Sequence, residues 1–158
     1  MHQVMKYRTI SEADTAAFAG ALAKCLRPGD TVLLCGDLGT GKSVFARGAA
    51  RALGVQGAMP SPTFTLMIPY TGNVKLYHFD LYRLNDPEEF YAVGLDEFIG
   101  GDGVAIVEWP EMADIEPEPA LEILLHRGET DDERVFEIEN RGVAGFNLAS
   151  LQNWSMEV

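Results

Sequence analysis

Gly36-Asp37-Leu38-Gly39-Thr40-Gly41-Lys42-Ser43 is the stretch that decides how this chain is to be read. It has the form G-x-x-x-x-G-K-S, the phosphate-binding P-loop pattern. Thr31-Val32-Leu33-Leu34-Cys35 before it is a short apolar run, and residues 44–53 after it predict a helix. Strand, glycine-rich turn and helix, in that order, are the context that gives the pattern physical meaning. Glycines let the backbone turn tightly and approach a phosphate with no Cβ in the way. The freed N–H groups form an anion nest, and the positive end of the following helix points at the same place. Lys42 then reaches the β- and γ-phosphates of a nucleotide, and the Ser43 hydroxyl serves Mg²⁺.

Composition narrows the class. At 158 residues the chain predicts one domain with a real core. Its 47% apolar and 23% charged content is ordinary for a globular protein. No apolar run reaches the roughly 20 residues of a membrane span, and the first ten residues lack a signal-peptide pattern, so a cytoplasmic location is expected. Cys25 and Cys35 have no metal or redox spacing and are expected to be buried free thiols. The net charge of −12 argues against direct binding to nucleic acid, because phosphate contacts dominate such affinity. Any action on RNA should pass through a protein partner, with the few basic residues gathered near the P-loop.

The rest of the chain reads as α/β. Residues 4–10 predict a strand. Ser11, with Asp14 three residues on, predicts a capped helix over 12–26 with Phe18, Leu22, Cys25 and Leu26 on one face. Gly54 is placed to end the P-loop helix. Residues 64–70 and 74–79 predict two strands joined at Thr71-Gly72-Asn73, an antiparallel insertion. Asp86 and Pro87 open a short helix that Gly94 closes. Val104-Ala105-Ile106-Val107 suits a central buried strand. Residues 121–125 and 134–138 predict a final antiparallel pair around the acidic turn 129–133, and 146–154 a short terminal helix. The fold expected is a P-loop NTPase-type three-layer α/β fold, its central parallel strands extended by antiparallel ones.

Hydrolysis or transfer also needs an acid near the metal and a group to position the nucleophile. Two apolar runs end in an acid: 104–107 in Glu108 and 76–79 in Asp80. The carboxyl end of a strand beside the P-loop strand is where an α/β sheet places ligands. Glu108, after the wholly apolar run, is the better match to a metal-binding acid. Asp80 either serves the reaction or caps the turn before Leu81-Tyr82-Arg83. Thr63 falls where switch loops place a threonine to sense the γ-phosphate, or it makes turn hydrogen bonds with Ser61. His78 is expected to pack or hydrogen-bond on its strand, and Trp109 to be a core or rim aromatic. Arg83 could face a phosphate or an acidic neighbour.

Four segments together carry a resemblance. The P-loop, then Ser61-Pro62-Thr63-Phe64-Thr65-Leu66, then His78-Phe79-Asp80-Leu81-Tyr82-Arg83-Leu84, then Val107-Glu108-Trp109-Pro110-Glu111 resemble the TsaE family (older name YjeE) in order and spacing. The resemblance covers residues 10–138. It implies a bacterial ATPase needed to make N6-threonylcarbamoyladenosine in tRNAs that read codons starting with A, acting with the TsaB–TsaD pair while TsaC supplies threonylcarbamoyl-AMP. By that resemblance ATP phosphates would lie against Gly36, Gly39, Thr40, Gly41, Lys42, Ser43 and Val44. Ser43 and Glu108 would hold Mg²⁺, Asp80 would orient or activate water, and Thr63 would belong to a switch loop. Arg134 would lie close to the nucleotide and Thr15 beside the base. Ser43 replaces the family's commoner threonine, Met112 stands where a basic residue is frequent, and the segment after Asn140 has no counterpart in the resemblance.

Three other functions share the P-loop. A small-molecule kinase would need an acceptor pocket and usually an arginine-rich lid, for which no Arg-x-x-Arg pattern is present. A GTPase-like switch would carry an Asn-Lys-x-Asp signature, which is absent. A scaffold would bind nucleotide without turnover.

Overall fold

Ser11 opens the first helix as its sequence predicts, and the remaining elements follow from similar local rules. The computed structural model describes residues 4–37, 39–60 and 66–156. Among these, the strands are β1 (Val4–Thr9), β2 (Thr31–Cys35), β3 (Met67–Thr71), β4 (Lys75–Asp80), β5 (Val104–Glu108), β6 (Ala120–Arg127) and β7 (Arg134–Arg141). They form one sheet in the order β1-β7-β6-β2-β5-β4-β3. The central strands β6, β2, β5 and β4 are parallel. Antiparallel strands extend both edges: β3 beside β4, and β7 then β1 beyond β6. This is the α/β class expected, with one addition. β6 pairs with β7 as its sequence suggests, and it also joins the parallel core beside β2.

The helices are α1 (Glu12–Ala23), α2 (Lys42–Ala52) and α3 (Pro87–Ala92). The Ser11 hydroxyl accepts the Asp14 N–H at 3.0 Å, and the Asp14 carboxylate accepts the Ile10 N–H at 3.0 Å. The two ends of the first turn therefore satisfy each other. α1 stops at Ala23 rather than 26, although Leu26 stays buried. α2 starts at Lys42, two residues before the predicted start, because Gly41 at φ 98° takes the left-handed turn that launches it. Asp86 caps α3 through the Glu88 N–H, with Pro87 in its first turn. β3 starts at Met67, and residues 61–65, where the strand was expected to begin, lie outside the described residues. Pro69 sits in β3, an edge strand, where a missing N–H is tolerated.

Two apolar clusters flank the sheet. Strand alternation sends Val32, Leu34, Leu76, Val104 and Ile106 to the α1–α2 face, and Leu33, Tyr77, Phe79, Ala105 and Val107 to the other. Phe18 packs at a tilt against Phe136 with ring centroids 4.8 Å apart and meets Phe45 edge-on at 6.2 Å. Gly48 lets α2 press on α1, since a Cβ there would lie 2.8 Å from the Ala16 backbone. The terminal segment forms a 3-10 turn at Leu148–Trp154, with Leu151 fully buried. Trp154 Nε1 donates to Asp14 Oδ1 at 2.8 Å, and Ser155 bridges to Tyr7. The segment thus straps α1 to β1, a packing role the sequence did not reveal. Cys25 and Cys35 are half-buried rather than core residues. Each stands where its element leaves the core, Cys25 past the end of α1 and Cys35 at the last residue of β2. Among the described residues no helix is long and apolar enough to cross a membrane.

Candidate active site

The carboxyl ends of β2, β4, β5 and β6 converge at one end of the sheet, and antiparallel β7 begins there. Five elements thus deliver their terminal residues to one place, as open α/β sheets do at a ligand crevice. β2 leads into the P-loop. β4 ends in Asp80, β5 in Glu108 and β6 in Arg127, while β7 starts with Arg134. Asp80 and Glu108 are direct partners in the parallel register of β4 and β5, and Glu108 also registers with Leu34 of β2.

The P-loop is shaped by contacts that demand its glycines. A Cβ on Gly36 would fall 2.8 Å from the Leu125 carbonyl oxygen. The Thr40 hydroxyl donates to the Asp37 carbonyl at 2.8 Å, closing the turn on itself. From the β6–β7 side, Arg134 Nε donates to the Thr40 carbonyl at 2.9 Å and Arg127 to the Gly39 carbonyl at 3.3 Å. The two arginines tie the loop's outward carbonyls to the hairpin.

A cleft of about 330 Å³ opens over the loop, lined by Gly39, Gly41, Lys42, Ser43 and Val44. Its walls include Asp80, Glu108, Arg134 and Thr15, four further residues singled out in the sequence. Gly36 and Thr40 shape the loop but do not line the cleft. Thr63 lies outside the described residues. Arg83 is exposed.

The electrostatics follow from burial. Lys42 is only 6% exposed. Its ammonium donates to the Gly36 and Asp37 carbonyls and lies 4.2 Å from the centroid of the Trp109 ring, a cation–π contact. Burial pulls its proton affinity below the ordinary lysine value, against Glu108, Glu111, Asp37 and Asp80. Burial pushes the Asp80 carboxyl upward, and neighbouring Glu108 adds to this, while the Tyr82 N–H that donates to Oδ1 at 3.1 Å opposes it. Glu108 is 3% exposed, and its Oε2 lies 2.6 Å from His78 Nε2. Burial, with Glu111 and Glu122 nearby, pushes the Cys35 thiol up to about 12.

Two residues carry more than their sequence reading assigned. Trp109 is not only a rim aromatic: it caps Lys42 and packs its ring 4.9 Å from that of Tyr82. It adopts φ 58° immediately before Pro110, a conformation costing about 1–3 kcal/mol. Stored strain of this kind accompanies functional sites, and a Trp-Pro step directly after the strand-end acid was the signal available. His78 does hydrogen-bond, as one of its two readings had it, but its partner is Glu108 of the neighbouring strand. Its signal was weaker, a histidine two residues before Asp80 and so on the same strand face.

Mg²⁺ fits this donor set. Among the described residues no three His, Cys, Asp or Glu side chains form a ready-made metal cage. Mg²⁺ beside a nucleotide needs none, since one or two protein ligands, phosphates and water complete its shell. Ser43 and Glu108 face the same cleft and supply such a pair. Acidic walls beside a cationic loop therefore suit a metal-bound polyphosphate.

The chain has relatives over most of its length. Residues 9–136 match the family model described as threonylcarbamoyl adenosine biosynthesis protein TsaE. The tRNA threonylcarbamoyladenosine biosynthesis protein TsaE of Bacillus subtilis is 42% identical over 132 residues, 82% of each chain. That of Rickettsia bellii is 41% identical over 143 residues, covering 87% of this chain and 98% of the relative. Among solved structures, the crystal structure of Bacillus subtilis YdiB is similar with a TM-score of 0.75 and 35% identity, over 90% of this chain and 88% of that one. With the family pattern spanning the P-loop, both strand-end acids and the start of β7, the chain belongs to the TsaE family of threonylcarbamoyl adenosine biosynthesis proteins.

Proposed function

We propose that this chain is a Mg²⁺-dependent ATPase of tRNA N6-threonylcarbamoyladenosine synthesis, hydrolysing ATP to drive or reset the TsaB–TsaD complex. The observation that supports hydrolysis best is the placement of Asp80 and Glu108 side by side, in register, facing Lys42 and Ser43 across one cleft. Family membership supports the pathway. The net charge of −12 supports a protein partner with tRNA reached only indirectly; the length of 158 residues supports one domain, and we place the protein in the cytoplasm with the tRNA it serves.

Lys42 and the loop amides hold the phosphates and stabilise charge that spreads over the transferring oxygens. To do so Lys42 exchanges the Gly36 and Asp37 carbonyls for phosphate, staying under the Trp109 ring. Ser43 and Glu108 would hold Mg²⁺, which would supply charge neutralisation at the phosphates. Asp80, half-buried and raised in proton affinity, accepts a hydrogen bond from the attacking water and orients it. Arg134, bonded to the Thr40 carbonyl, steadies the loop's outer side. Thr15 and Val44 border the nucleoside.

The test is phosphate release with purified TsaB and TsaD. Stimulated ATP turnover, together with loss of the tRNA modification in cells lacking this protein, is the expected result. No stimulation together with normal modification overturns the proposal. GTP and candidate phosphate acceptors in the same assay separate ATPase from switch or kinase.

A further inference from the structure

We propose that His78 is a positioning residue for the metal, holding the Glu108 carboxylate so that its other oxygen is presented to the cleft. The inference rests on the reading of that cleft as a Mg²⁺–ATP site and adds a residue that the reading does not use.

Strand geometry makes the contact specific. The residues on the α2 face are Leu76, His78 and Asp80 along β4, and Val104, Ile106 and Glu108 along β5. In register, Glu108 stands beside Asp80, and two carboxylates side by side repel. Glu108 reaches one step back along β4, where Oε2 meets His78 Nε2 at 2.6 Å. With the carboxylate ionised, Nε2–H is the donor. Glu108 is 3% and His78 8% exposed, so water does not replace the bond. His78 and Ser43 also line one void of about 10 Å³ beneath α2, with room for about one water. The imidazole therefore contacts one residue expected to hold the metal and shares a void with the other. Metal-binding side chains are oriented by such outer hydrogen bonds, and loss of one lowers metal affinity by about 10–100-fold.

A purely structural His78–Glu108 bond would affect folding and leave metal affinity alone. The two roles separate in a pair of unbranched variants of similar size, His78→Gln with an amide donor and His78→Met without one. Mn²⁺ is titrated by electron paramagnetic resonance into protein saturated with a nonhydrolysable ATP analogue, and analogue binding is measured separately in EDTA. His78→Met is expected to weaken Mn²⁺ binding about 10–100-fold with analogue binding in EDTA unchanged, and His78→Gln to restore most of it. Parental Mn²⁺ affinity in a folded His78→Met protein overturns the proposal. So does an equal loss of Mn²⁺ and metal-free binding, or a Gln variant no better than Met. If His78→Met does not fold, His78→Ala is read by the same criteria. A parent protein whose analogue binding ignores Mn²⁺ sinks the Mg²⁺–ATP reading itself, a result distinct from a normal parent with an unaffected variant.

Discussion

The two ends of β4 and β5 use similar residues to opposite effect. At the amino ends, Asp102 accepts the Tyr77 hydroxyl at 2.6 Å and the Lys75 ammonium at 2.9 Å, with the Lys75–Asp102 pair exposed to solvent. At the carboxyl ends, Asp80 and Glu108 sit beside His78 and Lys42, mostly out of water. Two donors serve one acid at the first end and hold the Asp102 carboxyl below its ordinary value. At the second, burial raises Asp80 and lowers Lys42. The lesson is that an ion pair in water is matched and inert, whereas buried acids around a loop-held cation remain available for a ligand.

The largest expected break in this contrast is at the buried cation. Lys42→Ala removes the charge proposed to meet the phosphates and should lower kcat/KM for ATP on the order of 10²–10³-fold or abolish binding. Calorimetric titration with the analogue and a phosphate-release assay both read it. Retained tight binding would remove Lys42 from the phosphate site.

Asp80 and Asp102 should next respond to pH with opposite signs. Asp80 binds its proton more tightly when folded, so its charge costs stability as pH rises through that folded value. Asp80→Asn should therefore melt higher than the parent near neutrality while losing turnover, and the advantage should vanish in acid. Asp102 has the reverse sign: its stabilisation is present above the ordinary carboxylate range and lost as pH falls. Asp102→Asn should melt slightly lower near neutrality, converge with the parent in acid and leave turnover unchanged. Melting curves across pH check both, and parallel curves for the two variants would erase the contrast.

A subtler expectation concerns Cys35, at the carboxyl end of β2. A thiol held near 12 carries almost no thiolate at neutral pH. Iodoacetamide should label it far more slowly than a free cysteine peptide, and fast labelling would contradict the half-buried, acidic setting.

Much of this was legible in the sequence because it is local. The loop pattern fixed strand, turn and helix, Ser11 and Asp86 announced their helices, and the all-apolar 104–107 run declared a central strand. Glu108 and Asp80 could be nominated because each ends such a run. What stayed hidden depends on register between distant segments. The pairing of β6 with β2, the strap from Trp154 to Asp14 and the approach of Arg127 to Gly39 join residues far apart in the chain. Alternation shows which face a residue takes, not which strand lies beside it. His78 illustrates the limit: its face was readable, but its diagonal bond to Glu108 was not. The same holds for Trp109, whose left-handed backbone aims it at Lys42.

The central claim, that the buried end is a hydrolytic site built on Glu108, is tested most directly by Glu108→Gln. Phosphate release is followed at saturating ATP and Mg²⁺ with TsaB and TsaD present, and binding of the analogue is measured in parallel. The account predicts retained analogue binding with turnover reduced on the order of 10²–10³-fold. Parental turnover in the folded variant would contradict it.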